Sequence, residues 1–362
     1  MTATQDEFYM AKAIQLAKRG RYTTAPNPNV GCVLVKNGQI IAEGWHKKAG
    51  QGHAEVEALI QVANAQGATA YVTLEPCSHH GKTPPCCDAL IKAGVSRVVA
   101  AMTDPNPLVS GQGLAKLQAA GIEVLCGVLA DDAHALNRGF IKRMTEGRPF
   151  VRSKLAMSLD GRTAMASGES QWITSAESRA DVHKLRAESS AILTGIGTVL
   201  ADDPSLTARV DFDVQQPLRV VLDSQLQMPV TAKMATLAGR SIILTCSTDT
   251  DKQQRLQQAG FEVYSLPSQN TRLDLFEVMK FLARHCQVND LLVEAGAILN
   301  GALLEHSLID EAIIYMASCV LGDQGRGLFH LPSLHTMADK KMLKLRDVRQ
   351  IGADLKLTLT AR

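Results

Sequence analysis

The chain has 362 residues, 46% hydrophobic and 20% charged, which suits a well-buried globular protein of two ordinary domains. Its 38 basic and 36 acidic residues nearly balance, which argues against an extended nucleic-acid-binding face. The N-terminus MTATQDEFYMAKAIQLAKRG lacks the apolar stretch of a secretory signal, and no segment has the apolar length of a membrane span, so the expectation is a cytoplasmic protein without membrane or nucleic-acid partners.

Residues 6–19 carry helical spacing. VGCVLVKNGQIIAEG (30–44) reads as two strands joined by a tight turn at Asn37-Gly38, a strong hairpin signal. Helical spacing resumes over 53–65, and AYVTLEP (70–76) is a short strand ending in proline. The alternation continues through VSRVVAAM (95–102), GLAKLQAAG (113–121) and IEVLCG (122–127), which together make an α/β layered domain. At Gly147-Arg148-Pro149 a turn forms a short linker and the pattern restarts. Beyond it VRSKLAMS, SAILTGIG, LRVVLDS, SIILTCS and NDLLVEAG are apolar runs of strand length, several followed by glycine and a helical segment. They predict a second α/β domain with a largely parallel, buried sheet. The domains are expected at 1–146 and 147–362.

Three residues in the first half have the types and turn contexts of metal ligands. His53 opens a helix, Cys77 follows Pro76 at a strand end, and Cys86 opens another helix. One histidine and two cysteines leave a fourth zinc position open, as a catalytic zinc requires, and zinc lowers the pKa of water bound there. Glu55, two residues after His53, can reach that water without being a ligand and can carry its proton to a ring nitrogen and a leaving amine. The eight residues SHHGKTPP between the cysteines depart from the short Pro-Cys-x-x-Cys form. A closed structural site would need a fourth ligand, for which His79 or His80 is the candidate. Cys32, Cys87, Cys126, Cys246, Cys286 and Cys319 are expected to be packing residues rather than disulfide partners. In the second half Leu193 to Thr198 and Val293 to Ala297 each run from a strand into a glycine turn, where backbone N–H groups can meet a phosphate; neither completes a G-x-G-x-x-G fingerprint.

Asn27-Pro28-Asn29-Val30-Gly31, His53-Ala54-Glu55-Val56, LEPCSHHGKTPPC (74–86) and DPNPLVSGQG (104–113) resemble the bifunctional deaminase/reductase family of riboflavin biosynthesis, in which the long insert between the cysteines is normal. The resemblance continues through KLAMSLDGRTAMASGESQWIT (154–174), TGIGTVLADDPSLTAR (194–209) and VEAGAILNGALL (293–304), covering nearly the whole chain. It implies a cytidine-deaminase-like three-layer domain followed by a dihydrofolate-reductase-like α/β domain. The implied activities are zinc-dependent removal of the 2-amino group from a diamino-hydroxy-pyrimidine carrying a phosphoribosylamino group, then NADPH-dependent reduction of the ribosyl chain to ribityl.

By the same resemblance Asn27, His46, His79 and Lys82 contact the deaminase substrate. Ala156, Trp172, Thr198, Asp202 and Ser224 face the nucleotide, and the turn Gly296, Ala297, Ile298, Leu299, Asn300, Gly301, Ala302 cradles its phosphates. Ser170, Arg186, Leu206, Arg209 and Glu294 hold the reductase substrate. Homo-oligomers are expected, since the family tends to associate. Plainer readings stay open beside these: His46 and Lys82 as surface residues, Trp172 as packing, Arg186 as one partner of a solvated helical charge pair, and Asp202-Asp203-Pro204 as a capping turn. An RNA or nucleoside deaminase with an accessory nucleotide-binding domain would share the zinc core, and a zinc-stabilised nucleotide-binding module without catalysis would share the ligands but have no use for Glu55.

Overall fold

The computed structural model describes residues 3–79 and 84–361. The chain divides into two compact units, Met1–Arg148 and Pro149–Arg362. The helix before the division ends on Gly147, whose φ of 68° is a left-handed cap that glycine adopts without strain.

The first unit is built on a five-stranded sheet in the order β2-β1-β3-β4-β5. β1 (Gly31–Lys36) and β2 (Gln39–Trp45) form the expected hairpin, with Asn37 and Gly38 both at positive φ and Lys36 opposite Gln39. β1 also pairs antiparallel with β3 (Thr69–Val72), which continues in parallel to β4 (Arg97–Ala100) and β5 (Glu123–Cys126). The helices are α1 (Ala3–Ala17), α2 (Ala54–Leu59), α3 (Cys86–Lys92), α4 (Gln112–Ala119), α5 (Ala130–Leu136) and α6 (Arg138–Glu146). Two glycines show how they layer. A Cβ on Gly31 would lie 2.0 Å from the carbonyl of Ala13 in α1, and one on Gly44 would lie 2.3 Å from that of Ala54 in α2. Gly44 pairs with Cys32, the neighbour of Gly31, so the two glycines point to opposite faces and α1 and α2 cover opposite sides of the sheet. α2 is shorter than the periodicity of 53–65 suggests. It ends at Leu59, and the Asn64 side chain accepts the Gln66 N–H at 2.8 Å, a local turn that competes with further helix.

In the second unit nine strands form one sheet, ordered β11-β10-β9-β8-β14-β6-β15-β18-β17. These are β6 (Phe150–Ser158), β8 (Ala191–Gly195), β9 (Leu218–Leu222), β10 (Ser241–Thr245), β11 (Glu262–Ser265), β14 (Asp290–Val293), β15 (Glu311–Ala317), β17 (Leu343–Ile351) and β18 (Asp354–Ala361), while β7 (Arg162–Ala164) pairs with β16 (Arg326–Gly327) and β12 (Ser268–Gln269) with β13 (Arg272–Leu273). The strands from β11 to β15 are parallel, and β18 and β17 close the edge antiparallel. Both faces are buried, as the near-continuous apolar runs imply. Leu193, Val220, Ile242 and Leu291 join one core with α10 (Leu275–Arg284) and α11 (Ala297–Glu305). Their alternates Ile192, Val221, Ile243 and Leu292 join another with α7 (Ala176–Glu188), α8 (Ile196–Asp202) and α9 (Thr250–Gln258). No helix among the described residues is long and apolar enough to cross a membrane.

Candidate functional site

In the first unit His53 sits at the N-cap of α2 with an extended backbone, Glu55 is the second residue of that helix, Cys77 follows β3, and Cys86 is the first residue of α3. His53 Nδ1 stands 3.2 Å from Cys86 Sγ and 3.5 Å from Cys77 Sγ, and the three ligand atoms all lie within 4.8 Å of one another. Zinc bonds of ordinary length at a tetrahedral angle put nitrogen and sulfur about 3.6 Å apart, so this donor set fits a zinc ion. Hydrogen bonds from Cys86 and His53 pull the Cys77 thiol well below its ordinary value, toward the thiolate a metal needs, while the same contact with Cys77 pushes Cys86 up. Glu55 is 3% exposed, and burial pushes its carboxyl up to about 7.

His46 is buried rather than a surface residue, and its ring meets that of His53 edge-on with centroids 5.5 Å apart. Its Nδ1 bonds the Gly52 carbonyl at 3.0 Å, so Nε2 is left to accept from Asn27 Nδ2 at 3.1 Å. Burial lowers the His46 pKa, in keeping with a neutral ring. His79 is exposed and near enough to Asp104 to oppose the upward push of burial on that carboxyl. Lys82 and His80 lie outside the described residues. Among the described residues only His53, Cys77 and Cys86 form a metal-ligating group. Cys87 packs as expected, its Sγ against the carbonyls of Pro76 and Gly113, whereas Cys126 is exposed because β5 is the edge strand.

Glu75 was not singled out by any motif, yet it organises this site. Its buried carboxylate accepts the N–H groups of Asp104 and Gly111, both at 2.9 Å, of Gly113 at 2.8 Å and of Leu114 at 3.3 Å. It thereby pins the DPNPLVSGQG loop against the Pro76-Cys77 turn. The signal was present in the pairing of a glutamate two residues before a candidate ligand with a glycine-rich loop, but an acid in a strand end reads as solvent-facing. A Cβ on Gly113 would lie 2.0 Å from the Pro76 carbonyl. Gly113→Ala is therefore expected to cost about 1–3 kcal/mol by overpacking; urea unfolding should show a lower midpoint at unchanged slope, and an unchanged midpoint would contradict the close approach.

The second unit holds a cleft of ≈ 1580 Å³ along the C-terminal ends of the parallel strands, where open α/β sheets bind ligands. It is lined by Ala156, Trp172, Thr198, Asp202, Ser224, Gly296, Ala297, Ile298, Leu299 and Ala302, and also by Ser170, Arg186, Leu206, Arg209 and Glu294. Two residues of the expected phosphate turn do not line it. Asn300 is fully buried, donating to the Ala295 and Gly296 carbonyls at 2.7 and 3.2 Å and accepting from Ser153 at 2.6 Å, so it braces the turn from behind. Gly301 faces inward, where a Cβ would lie 2.1 Å from the His330 carbonyl.

Trp172 is 71% exposed, with the Arg179 guanidinium 4.6 Å above its ring, so it is no core residue. Arg186 is not in a solvated helical pair. It grips Glu294 through two bonds of 2.6 and 2.9 Å and reaches the Thr207 carbonyl at 3.2 Å. Burial would raise Glu294, but the Arg186 charge overcomes it and holds the carboxyl below its ordinary value. Asp203 does cap α8, at φ 40°, while Asp202 faces the cleft and accepts from Gln171 at 3.1 Å. Lys154, unmarked by the sequence reading, also lines the cleft, and burial lowers its pKa.

The family model described as the RibD C-terminal domain matches residues 149–357, and that of the cytidine and deoxycytidylate deaminase zinc-binding region matches 3–102. The riboflavin biosynthesis protein RibD of Escherichia coli (strain K12) is 51% identical over 368 residues, 98% of this chain and 99% of the relative. The chain belongs to the RibD family. A solved structure of Acinetobacter baumannii RibD superposes with a TM-score of 0.93 at 48% identity, covering 100% of both chains. The Thermotoga maritima diaminohydroxyphosphoribosylaminopyrimidine deaminase/5-amino-6-(5-phosphoribosylamino)uracil reductase gives a TM-score of 0.88 at 35% identity, covering 99% of both. RibD membership bears out the resemblance drawn from the two sets of motifs: this is a bifunctional deaminase and reductase of riboflavin biosynthesis, with a zinc-binding deaminase domain and an NADPH-dependent reductase domain.

Proposed function

We propose that the first unit (residues 1–146 in the sequence reading) deaminates a 2,5-diamino-6-ribosylamino-4(3H)-pyrimidinone 5′-phosphate, and that the second (147–362) reduces the product's ribosyl chain to ribityl. The observation that carries the first half is a buried Glu55 beside a His-Cys-Cys donor set of zinc dimensions. Zinc held by His53, Cys77 and Cys86 would supply a Lewis acid that makes water acidic at neutral pH. The Glu55 carboxylate would take one proton from that water to the ring nitrogen and then pass the remaining hydroxyl proton to the amine, which leaves as ammonia; burial raises its carboxyl, which helps it give each proton up again. Asn27, fixed by His46, offers neutral polar groups to the pyrimidine edge. His79 is assigned to the substrate with Asn27 and His46, and Lys82 to its phosphate as a cationic contact.

In the second unit the cleft has room for a dinucleotide and the substrate together. NADPH supplies the hydride, and the chain's contribution is to place the cofactor against C1′ of the ring-opened sugar. Ala156, Trp172, Thr198, Asp202 and Ser224 are assigned to the nucleotide, and the N-terminus of α11 at Gly296 to its phosphates. Asn300 and Gly301 are withdrawn from direct contact for the packing reasons given above. Ser170, Leu206, Arg209 and the Arg186–Glu294 pair form the substrate side.

Two copies of the chain are proposed to associate in the cytoplasm, a reading supported by exposed Leu345 and Val348 on edge strand β17. Light scattering at the monomer mass would contradict it.

Chelation of zinc tests the division of labour. Ammonia release should disappear and return when zinc is restored. Reduction of separately supplied deaminated pyrimidine should continue at its original rate. Loss of both activities would place zinc in the wrong role.

A further inference from the structure

The cleft of the second unit orders its ligand along the sheet. Ala156 stands on β6, Gly296 follows β14, Gly195 ends β8, and Ser224 lies just past β9, in the strand order β9-β8-β14-β6. A dinucleotide with its nicotinamide at Ala156 and its phosphates at Gly296 therefore carries its adenosine ribose to the end of β9. In sites that take the unphosphorylated dinucleotide, a free carboxylate commonly receives the ribose diol, whereas an arginine accommodates a 2′-phosphate.

At this end the available acid is Asp223, and it is committed elsewhere. It is fully buried and accepts the Gln227 and Met228 N–H groups at 2.9 and 2.7 Å within its own turn. The available cation is Arg272 on β13, which lines the same cleft and whose guanidinium has no hydrogen bond or ion pair among the described residues. β13 is tied to Ser224 by the Leu273 N–H, which Ser224 Oγ accepts at 3.1 Å, so the serine keeps its own hydroxyl proton to donate. Of the other cleft cations, Arg186 is held on Glu294, Arg179 lies over Trp172 and Lys154 stands on β6, while Arg209 and Arg326 line the cleft on the loop after Leu206 and on β16, not at the end of β9.

We propose that Arg272 and Ser224 receive the 2′-phosphate of the adenosine ribose and set the preference for NADPH over NADH. The inference rests on the reading of this cleft as the reductase cofactor site. Arg272 contributes a charged fork and Ser224 a neutral donor, the combination a phosphate monoester needs and a ribose diol does not.

The test uses the full chain as wild type, Arg272→Gln and Arg272→Lys, titrated calorimetrically with adenosine 2′,5′-bisphosphate and with 5′-ADP, alongside kcat/KM for NADPH and NADH. Wild type should bind the bisphosphate more tightly than 5′-ADP. Arg272→Gln should weaken the bisphosphate by about 10–100-fold, the range expected for a lost charge-assisted contact, and leave 5′-ADP within about twofold. The kcat/KM for NADPH should fall by the same factor with that for NADH unchanged, and Arg272→Lys should recover part of the loss. Undiminished discrimination in Arg272→Gln, or equal weakening of both nucleotides, would overturn the assignment while leaving the cofactor site in place. Wild-type protein that binds neither nucleotide and oxidises no NADPH would instead overturn the reading of the cleft.

Discussion

Glu55→Gln should lower ammonia release by about 10²–10⁴-fold, the usual worth of a positioned proton carrier, while zinc stays at one ion per chain. Glutamine keeps the size of the side chain and the packing of a residue that is 3% exposed, but it cannot take the proton. The three ligand atoms come from His53, Cys77 and Cys86, so metal content should not change. Metal analysis and an ammonia assay on the same preparation separate the outcomes. Retained turnover would remove Glu55 from the chemistry, and loss of zinc would make it a structural support of the site.

Arg209→Ala should raise the KM for the deaminated pyrimidine in the reductase step by about 10–100-fold and leave ammonia release unchanged, since a charge-assisted phosphate contact is worth about 1.5–3 kcal/mol. Arg209 is exposed on the cleft wall, and its main-chain N–H donates to His183 Nδ1 at 3.2 Å, so the loop that carries it stays anchored when the side chain is removed. The neighbouring Arg186 cannot substitute, because Glu294 and the Thr207 carbonyl already occupy its guanidinium. An equal fall in both activities would contradict the assignment of Arg209 to the second site alone.

The parts of this protein that were legible in its sequence are those where one residue type dictates local geometry. Asn37-Gly38 set the hairpin register because both positions need positive φ. The candidate ligands His53 and Cys86 were readable because a helix starts at each, and Cys77 because it follows Pro76 in the turn beyond β3, which ends at Val72 and not at Pro76 as the apolar run suggested. The strands of the second sheet announced themselves by apolar runs, since both faces are covered. What stayed hidden depends on contacts distant in sequence. Glu75 looks like an ordinary acid until the loop 29 to 39 residues later folds back to donate four N–H groups to it. Asn300 sits in a motif that resembles a phosphate turn, and only its bond to Ser153, 147 residues earlier, shows that it braces that turn from within. Arg186 has helical neighbours to pair with, and tertiary structure gives it Glu294 instead. The β17–β18 hairpin was missed because an edge ribbon in LKLRDVRQIGADLKLTLT carries many charges and only half-apolar alternation. Helices α5 and α6, over 130–146, were not read because both are short and polar overall; α6 is amphipathic, but four of its nine residues are charged.

The central claim, that two consecutive reactions share this one chain, is tested most directly by following ammonia and NADPH together after adding the diamino-pyrimidine phosphate to zinc-loaded protein. The account predicts ammonia first, then NADPH oxidation that lags behind it and never exceeds it. NADPH oxidation without prior ammonia, or silence in both signals, would contradict the account.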